Sequence, residues 1–153
     1  MSQSKAQTFE EVINKRGSIV YRTSGVSMLP MLKENRDLVF IVKPTGRLKK
    51  YDVPLYKRGD KYILHRIIKV RENDYVIRGD NTYQKEYGIC DSDIVGVLNT
   101  FVRNGKEYSV NDIKYRIYSR IWCALYPIRY ARRFWRPTLG KLKARLLKSI
   151  RGK

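Results

Sequence analysis

The chain has 153 residues, room for one domain and an extension, and its 42% hydrophobic and 31% charged residues argue against both a disordered chain and a bundle of membrane helices. Its 33 Lys and Arg against 14 Asp and Glu give a net charge of +19, far enough from zero to imply an anionic partner, either nucleic acid or an acidic lipid surface. Two cysteines, Cys90 and Cys123, are too few for a disulfide scaffold and are expected as free thiols.

Residues 1–9 are polar and hold no apolar run of the signal-peptide kind. Nowhere does the chain approach the roughly 18 consecutive apolar residues that cross a bilayer, so a cytoplasmic location is expected. Phe9, Val12 and Ile13 suit a short amphipathic helix, with Thr8 and Glu11 spaced as a capping box and Gly17 as its stop. A β-rich run, residues 19–23, then feeds the turn-forming stretch Ser24-Gly25-Val26-Ser27-Met28-Leu29-Pro30. Further strands are expected over 37–42, 51–56, 62–70, 74–78 and 94–102, separated by turn formers such as Pro44-Thr45-Gly46 and Arg58-Gly59-Asp60. Many short strands with short turns indicate a mainly β fold, a coiled antiparallel sheet or barrel, and no internal repeat is present.

Within 62–70, period-two alternation puts Ile63, His65 and Ile67 on one face and Leu64, Arg66, Ile68 and Val70 on the other. Both faces are largely apolar, so an interior strand is expected, with His65 among aliphatic neighbours. His65 is the single histidine of the chain. Burial disfavours its charged form, leaving it neutral near pH 7, as a general base must be. Ser27 is the obvious nucleophile for such a base; the plain alternative is a histidine without chemistry. Asp80, in Gly79-Asp80-Asn81, either orients His65 through the second ring nitrogen or belongs to an ordinary turn whose side chains bond their own backbone.

Ser-Met-x-Pro after a glycine (Gly25, Ser27, Met28, Pro30), then His65-Arg66-Ile67, then Gly79-Asp80-Asn81, together resemble the serine-peptidase clan of type I signal peptidases and self-cleaving SOS-type repressors. The resemblance covers roughly residues 20–101. It implies a coiled β fold of the signal peptidase type, with Ser27 as nucleophile. Histidine stands in place of the usual lysine in the archaeal, endoplasmic-reticulum and sporulation-type members, and His65 matches that position. Their Gly-Asp-Asn aspartate maps onto Asp80, and a second downstream acid of some histidine-type members falls near Glu86. The backbone N–H of Ser27 is the implied oxyanion donor, with the Ser24 hydroxyl as a further candidate.

Departures are equally visible. One residue more separates Gly25 from Ser27 than in signal peptidases, Tyr51 stands where the family's second Gly-Asp has its glycine, and a protein without the family's N-terminal anchor is expected. The segment before Ser27 is too short for a repressor's helix-turn-helix domain and cleavage linker. Lys57, Lys61 and Lys69 are alternative bases only if desolvated, and none falls on the family motif.

After Phe101, Asn104-Gly105 reads as a hairpin turn, and Asn111-Asp112 as the start of a helix at Ile113. Residues 1–112 thus form a peptidase-like β domain and residues 113–153 a basic helical extension. In that extension Ile113, Ile117, Ile121, Trp122 and Leu125 share one helical face, Pro127 interrupts it, and Leu139, Leu142, Leu146, Leu147 and Ile150 repeat the pattern. It holds 13 Lys or Arg and no Asp or Glu. Cations opposite an apolar face, with Trp122, Tyr126, Tyr130, Phe134 and Trp135 as a belt, suit an anionic membrane surface. Packing on the β domain is the plain alternative, and nucleic acid a competing partner.

The expectation from sequence is a serine endopeptidase, Ser27 attacking, His65 carrying the proton and Asp80 orienting it, that cuts a leader-like peptide or protein precursor at the cytoplasmic membrane surface. A non-catalytic basic adaptor of the same fold, binding nucleic acid or anionic lipid, is the alternative. No cofactor is implied, and no metal, because one histidine and two distant cysteines do not make a ligand set.

Overall fold

Thr8 caps the first helix of the computed structural model, which describes residues 7–132. Its hydroxyl accepts the Glu11 N–H while the Glu11 carboxylate accepts the Thr8 N–H, the reciprocal cap anticipated from the spacing. Helix α1 (Phe9–Arg16) then ends at Gly17, whose φ of 76° is left-handed and suits a residue without a side chain.

Nine strands follow among the described residues: β1 (Ser18–Arg22), β2 (Leu38–Val42), β3 (Pro54–Arg58), β4 (Lys61–Leu64), β5 (Arg66–Val70), β6 (Tyr75–Arg78), β7 (Glu86–Ile89), β8 (Ile94–Arg103) and β9 (Lys106–Ser109). All pair antiparallel, and the architecture is mainly β with a curled half-barrel sheet, in agreement with the fold class expected. The larger sheet runs β1-β2-β8-β3-β4, with β9 on β8; the smaller is β5-β6-β7. Long β8 is the spine, pairing β2 along one edge and β3, then β9, along the other. Asn104 and Gly105, at φ 51° and 74°, make the β8–β9 turn, as the Asn-Gly pair predicts.

The expected strand over 62–70 is two strands in two sheets, divided at His65. The cause lies across the ladder. With Leu55 opposite Leu64, His65 faces Pro54, whose carbonyl accepts the His65 N–H at 3.4 Å. Proline has no N–H to return the bond, so pairing lapses and the chain crosses to the smaller sheet. Alternation still holds: Ile63 and Ile67 pack in the core cluster around Tyr56, Tyr75 and Ile77, whereas Leu64 packs against the other, around Ile41, Leu55 and Leu98. The expected 51–56 strand likewise begins only at Pro54; β9 completes the hairpin implied by Asn104-Gly105, while β7, short and polar, has no counterpart among the expected strands.

Helix α2 (Ile113–Ala124) starts where Asn111-Asp112 implied. The plain alternative, that its apolar face packs on the β domain, does not hold: Tyr115 and Ser119 are the buried residues, while Ile113, Ile117 and Ile121 are exposed. Residues up to Arg120 form one compact unit and those from Ile121 a second. In the latter, residues 126–132 are helical, and the Arg129 guanidinium stacks on Trp122 at 3.8 Å while donating to the Trp122 carbonyl. The leucine-rich segment 139–150, with Phe134 and Trp135, lies outside the described residues.

Candidate active site

Ser27 sits on the loop between β1 and β2, which is closed at its neck and anchored at its middle. At the neck Thr23 donates its N–H to the Asp37 carbonyl and its hydroxyl to the Lys33 carbonyl. The fully buried Asp37 carboxylate takes the Lys33 N–H and two guanidinium bonds from Arg36. Burial opposes this charge, yet those bonds hold the Asp37 pKa below the ordinary carboxylate value. At the middle Met28, Met31 and Leu32 plunge into the core. Ser27 is thereby left at the rim of a cavity of about 600 Å³ that His65 also lines. Ser24 and the Gly25 N–H are turned toward the Glu34 carboxylate.

The Gly79-Asp80-Asn81 tripeptide joins this loop to the His65 crossing, and each residue has a separate task. Asn81 pins the loop: its N–H donates to the Ser27 carbonyl at 2.7 Å and its side-chain amide to the Val26 carbonyl at 3.1 Å. Gly79 supplies room, since a Cβ there would lie 2.8 Å from the Ser27 carbonyl oxygen and 3.0 Å from His65 Nε2. Those two atoms are therefore no farther apart than the two distances laid end to end. Asp80 forms a bidentate pair with the fully buried Arg66, at 2.8 and 2.7 Å.

The Nδ1 contact expected of Asp80 is made by another carboxylate. Glu86 Oε1 stands 2.9 Å from His65 Nδ1, and its other oxygen accepts from Arg58 at 2.6 Å. The Tyr56 hydroxyl lies 3.3 Å from the same nitrogen and also bonds Glu86; burial first, then Glu86, raises the tyrosine pKa, keeping it protonated. A carboxylate on Nδ1 fixes the proton there, which leaves the lone pair on Nε2, the ring atom nearest Gly79. Burial lowers the His65 pKa against the opposing pull of Glu86, so the ring is neutral near pH 7 as anticipated.

Sequence reasoning thus brought Ser27, His65 and Asp80 to one place but misassigned the partner of the ring. Glu86 was flagged only through the resemblance, and Tyr56 not at all. The β6–β7 pairing brings Glu86 there, setting it opposite Ile77, two residues before Gly79. The lysine alternatives fare worse. Lys57 pairs with Glu10 at 3.3 Å, and that bond raises its pKa, opposite to what a base requires; Lys61 and Lys69 are exposed. Cys90 and Cys123 are reduced cysteines.

Comparison with protein-family models, with curated proteins and with solved structures finds no match to the chain.

Proposed function

We propose that the protein is a serine peptidase of the signal peptidase-like, histidine type, acting by a Ser27, His65, Glu86 relay. The observation that carries the reading is the packing of Gly79 against both the Ser27 carbonyl and His65 Nε2, while Nδ1 of the same ring is held by Glu86. Ser27 Oγ attacks the scissile carbonyl and gives its proton to Nε2; Glu86 stabilises the imidazolium across Nδ1–H. His65 then protonates the leaving amine, and water repeats the sequence to release the acyl group. The oxyanion is assigned to the Ser27 N–H, as in the clan this chain resembles, and Asp80 positions the chain beside the ring through its pair with Arg66.

The substrate is an extended peptide, a leader or precursor segment with small residues before the cut. Two sheet edges support this: β1 and β4 are terminal strands of the larger sheet, and Tyr21, Arg22 and residues 61–64 line the same cavity as Ser27. No helix among the described residues is long and apolar enough to cross a membrane, and the basic extension places the peptidase peripherally on an anionic one. The reading is tested by comparing protein N-termini in cells carrying the wild-type chain and Ser27→Ala. New N-termini that vanish with Ser27 support it; identical sets of N-termini overturn it in favour of a non-catalytic adaptor.

A further inference from the structure

Helix α2 has two faces with different business. At 3.6 residues per turn, Ile113, Ile117 and Ile121 fall within roughly a quarter of the helical wheel, diametrically opposite Tyr115 and Ser119. The three isoleucines are 67%, 50% and 53% exposed, and Tyr115 and Ser119 are 9% and 1% exposed. Lys114, Arg116 and Arg120, all exposed, flank the apolar stripe, and residues 113–153 contain no acid.

The buried face ends on Arg66. One guanidinium nitrogen donates to the Tyr115 hydroxyl at 3.0 Å, the Ser119 hydroxyl at 3.0 Å and the Tyr51 carbonyl at 3.1 Å. Its twin reaches Asp80 and the Met31 sulfur. Arg66 follows His65, Asp80 follows Gly79, and Met31 belongs to the Ser27 loop, so α2 is bonded to the point where all three motif segments meet.

We infer that the Ile113, Ile117 face of α2 docks on an anionic lipid bilayer, and that Tyr115 and Ser119, through Arg66, pass the docked state on to His65. A stripe of isoleucines between cations matches the boundary between acyl chains and anionic headgroups. Nucleic acid offers phosphates but no apolar layer for the isoleucines. A second copy would set one row of cations against another. Tyr115 and Ser119 are positioning residues, since they act through Arg66. The coupling to catalysis rests on the peptidase reading; the docking does not.

The full chain is floated with vesicles of phosphatidylcholine mixed with phosphatidylglycerol and, separately, of phosphatidylcholine alone. Binding is expected only to the anionic vesicles, and the double variant Ile113→Asp, Ile117→Asp loses it by about tenfold or more, since each such side chain is worth roughly that factor when buried. His65 is then read without any substrate: diethyl pyrocarbonate carbethoxylates the single imidazole, and peptide mass spectrometry gives the rate. Anionic vesicles are expected to change that rate about fivefold or more in the wild type. Ser119→Ala and Tyr115→Phe bind the vesicles equally but show no such change, which separates coupling from simple shielding.

Equal flotation of the aspartate variant, or equal flotation on phosphatidylcholine alone, overturns the docking. An unchanged wild-type rate on vesicles, or the same change in both Ser119→Ala and Tyr115→Phe, overturns the coupling. Neither readout needs cleavage, so failure of Ser27-dependent processing counts against the peptidase reading alone.

Discussion

Glu86 holds His65 from the far side of the ring, 2.9 Å from Nδ1, whereas both oxygens of Asp80 are bonded to Arg66. Two acids that look interchangeable in sequence should therefore fail in different ways. Glu86→Ala removes the group that sets the tautomer and is expected to lower kcat by on the order of 10³ to 10⁴, with stability changed by about 1 kcal/mol or less because its Arg58 partner is exposed. Asp80→Ala strands a buried guanidinium and should cost roughly 3 to 5 kcal/mol. Urea melts beside Ser27-dependent cleavage rates check both. Equal stability losses in the two variants would remove the distinction.

Burial, opposed by Glu86, keeps the His65 pKa below the ordinary 6.5. Between that lowered value and 6.5 the unfolded chain binds a proton that the folded chain refuses, so the His65 contribution destabilises the fold as pH falls below 6.5 and vanishes above it. The wild type should therefore lose more stability than His65→Gln on acidification through this window. The imidazole proton resonances of this one histidine should titrate below 6.5, and the acid limb of kcat/KM should follow them. Glu86→Gln removes the charge that supports the imidazolium and should move the midpoint lower still. A midpoint at or above 6.5 in the wild type contradicts the buried neutral ring.

Local chemistry was legible where one residue dictates it: the Thr8 and Glu11 cap, the Gly17 stop and the Asn104-Gly105 turn are where the residue types put them. Spacing and motif order brought Ser27, His65 and Gly79-Asp80-Asn81 to one locality. What stayed hidden depends on contacts between segments distant in sequence. The break at His65 is caused by Pro54 across the ladder, Arg66 is buried because Asp80, Tyr115 and Ser119 meet it, and Glu86 reaches the ring only once β7 has paired with β6. The apolar period of α2 revealed a helix face but left open whether it packs on the β domain or faces outward; two hydrogen-bonding side chains on the opposite face, Tyr115 and Ser119, decide that.

Tyr51 has φ of 81°, a left-handed conformation unfavourable for an aromatic side chain, and it stands where the resemblance calls for glycine. Its backbone is held there on both sides, the N–H by the Ile67 carbonyl and the carbonyl by Arg66. Tyr51→Gly should relieve the strain, worth about 1 kcal/mol or somewhat more, and raise the urea midpoint with cleavage retained. The Tyr51 ring contributes a contact 5.1 Å from the Lys50 ammonium, a surface term of about 0.5 to 1 kcal/mol that offsets only part of the gain. A lower midpoint would show that the ring matters more than the backbone.

Gly79 gives the sharpest test of the candidate site because its backbone is not left-handed; an alanine could adopt it, and only space forbids one. The added methyl carbon would meet the Ser27 carbonyl oxygen at 2.8 Å and the ring of His65 at 3.0 and 3.1 Å, closer than packed atoms sit. Something must shift, and the neighbours are the two groups the proposed chemistry needs in register. Gly79→Ala should therefore fold, with a loss of about 1 to 3 kcal/mol from overpacking. It should lose about 10²-fold or more in cleavage, as expected when reacting groups are displaced by an ångström or less. Gly46→Ala is the matched control, since a Cβ there meets nothing within 4 Å and neither stability nor rate should move beyond surface-substitution levels. Circular dichroism, urea melts and His65 resonances on the two variants separate a displaced site from an unfolded one. A Gly79→Ala chain that cleaves at the wild-type rate would mean that the Ser27 and His65 approach is not where the reaction occurs.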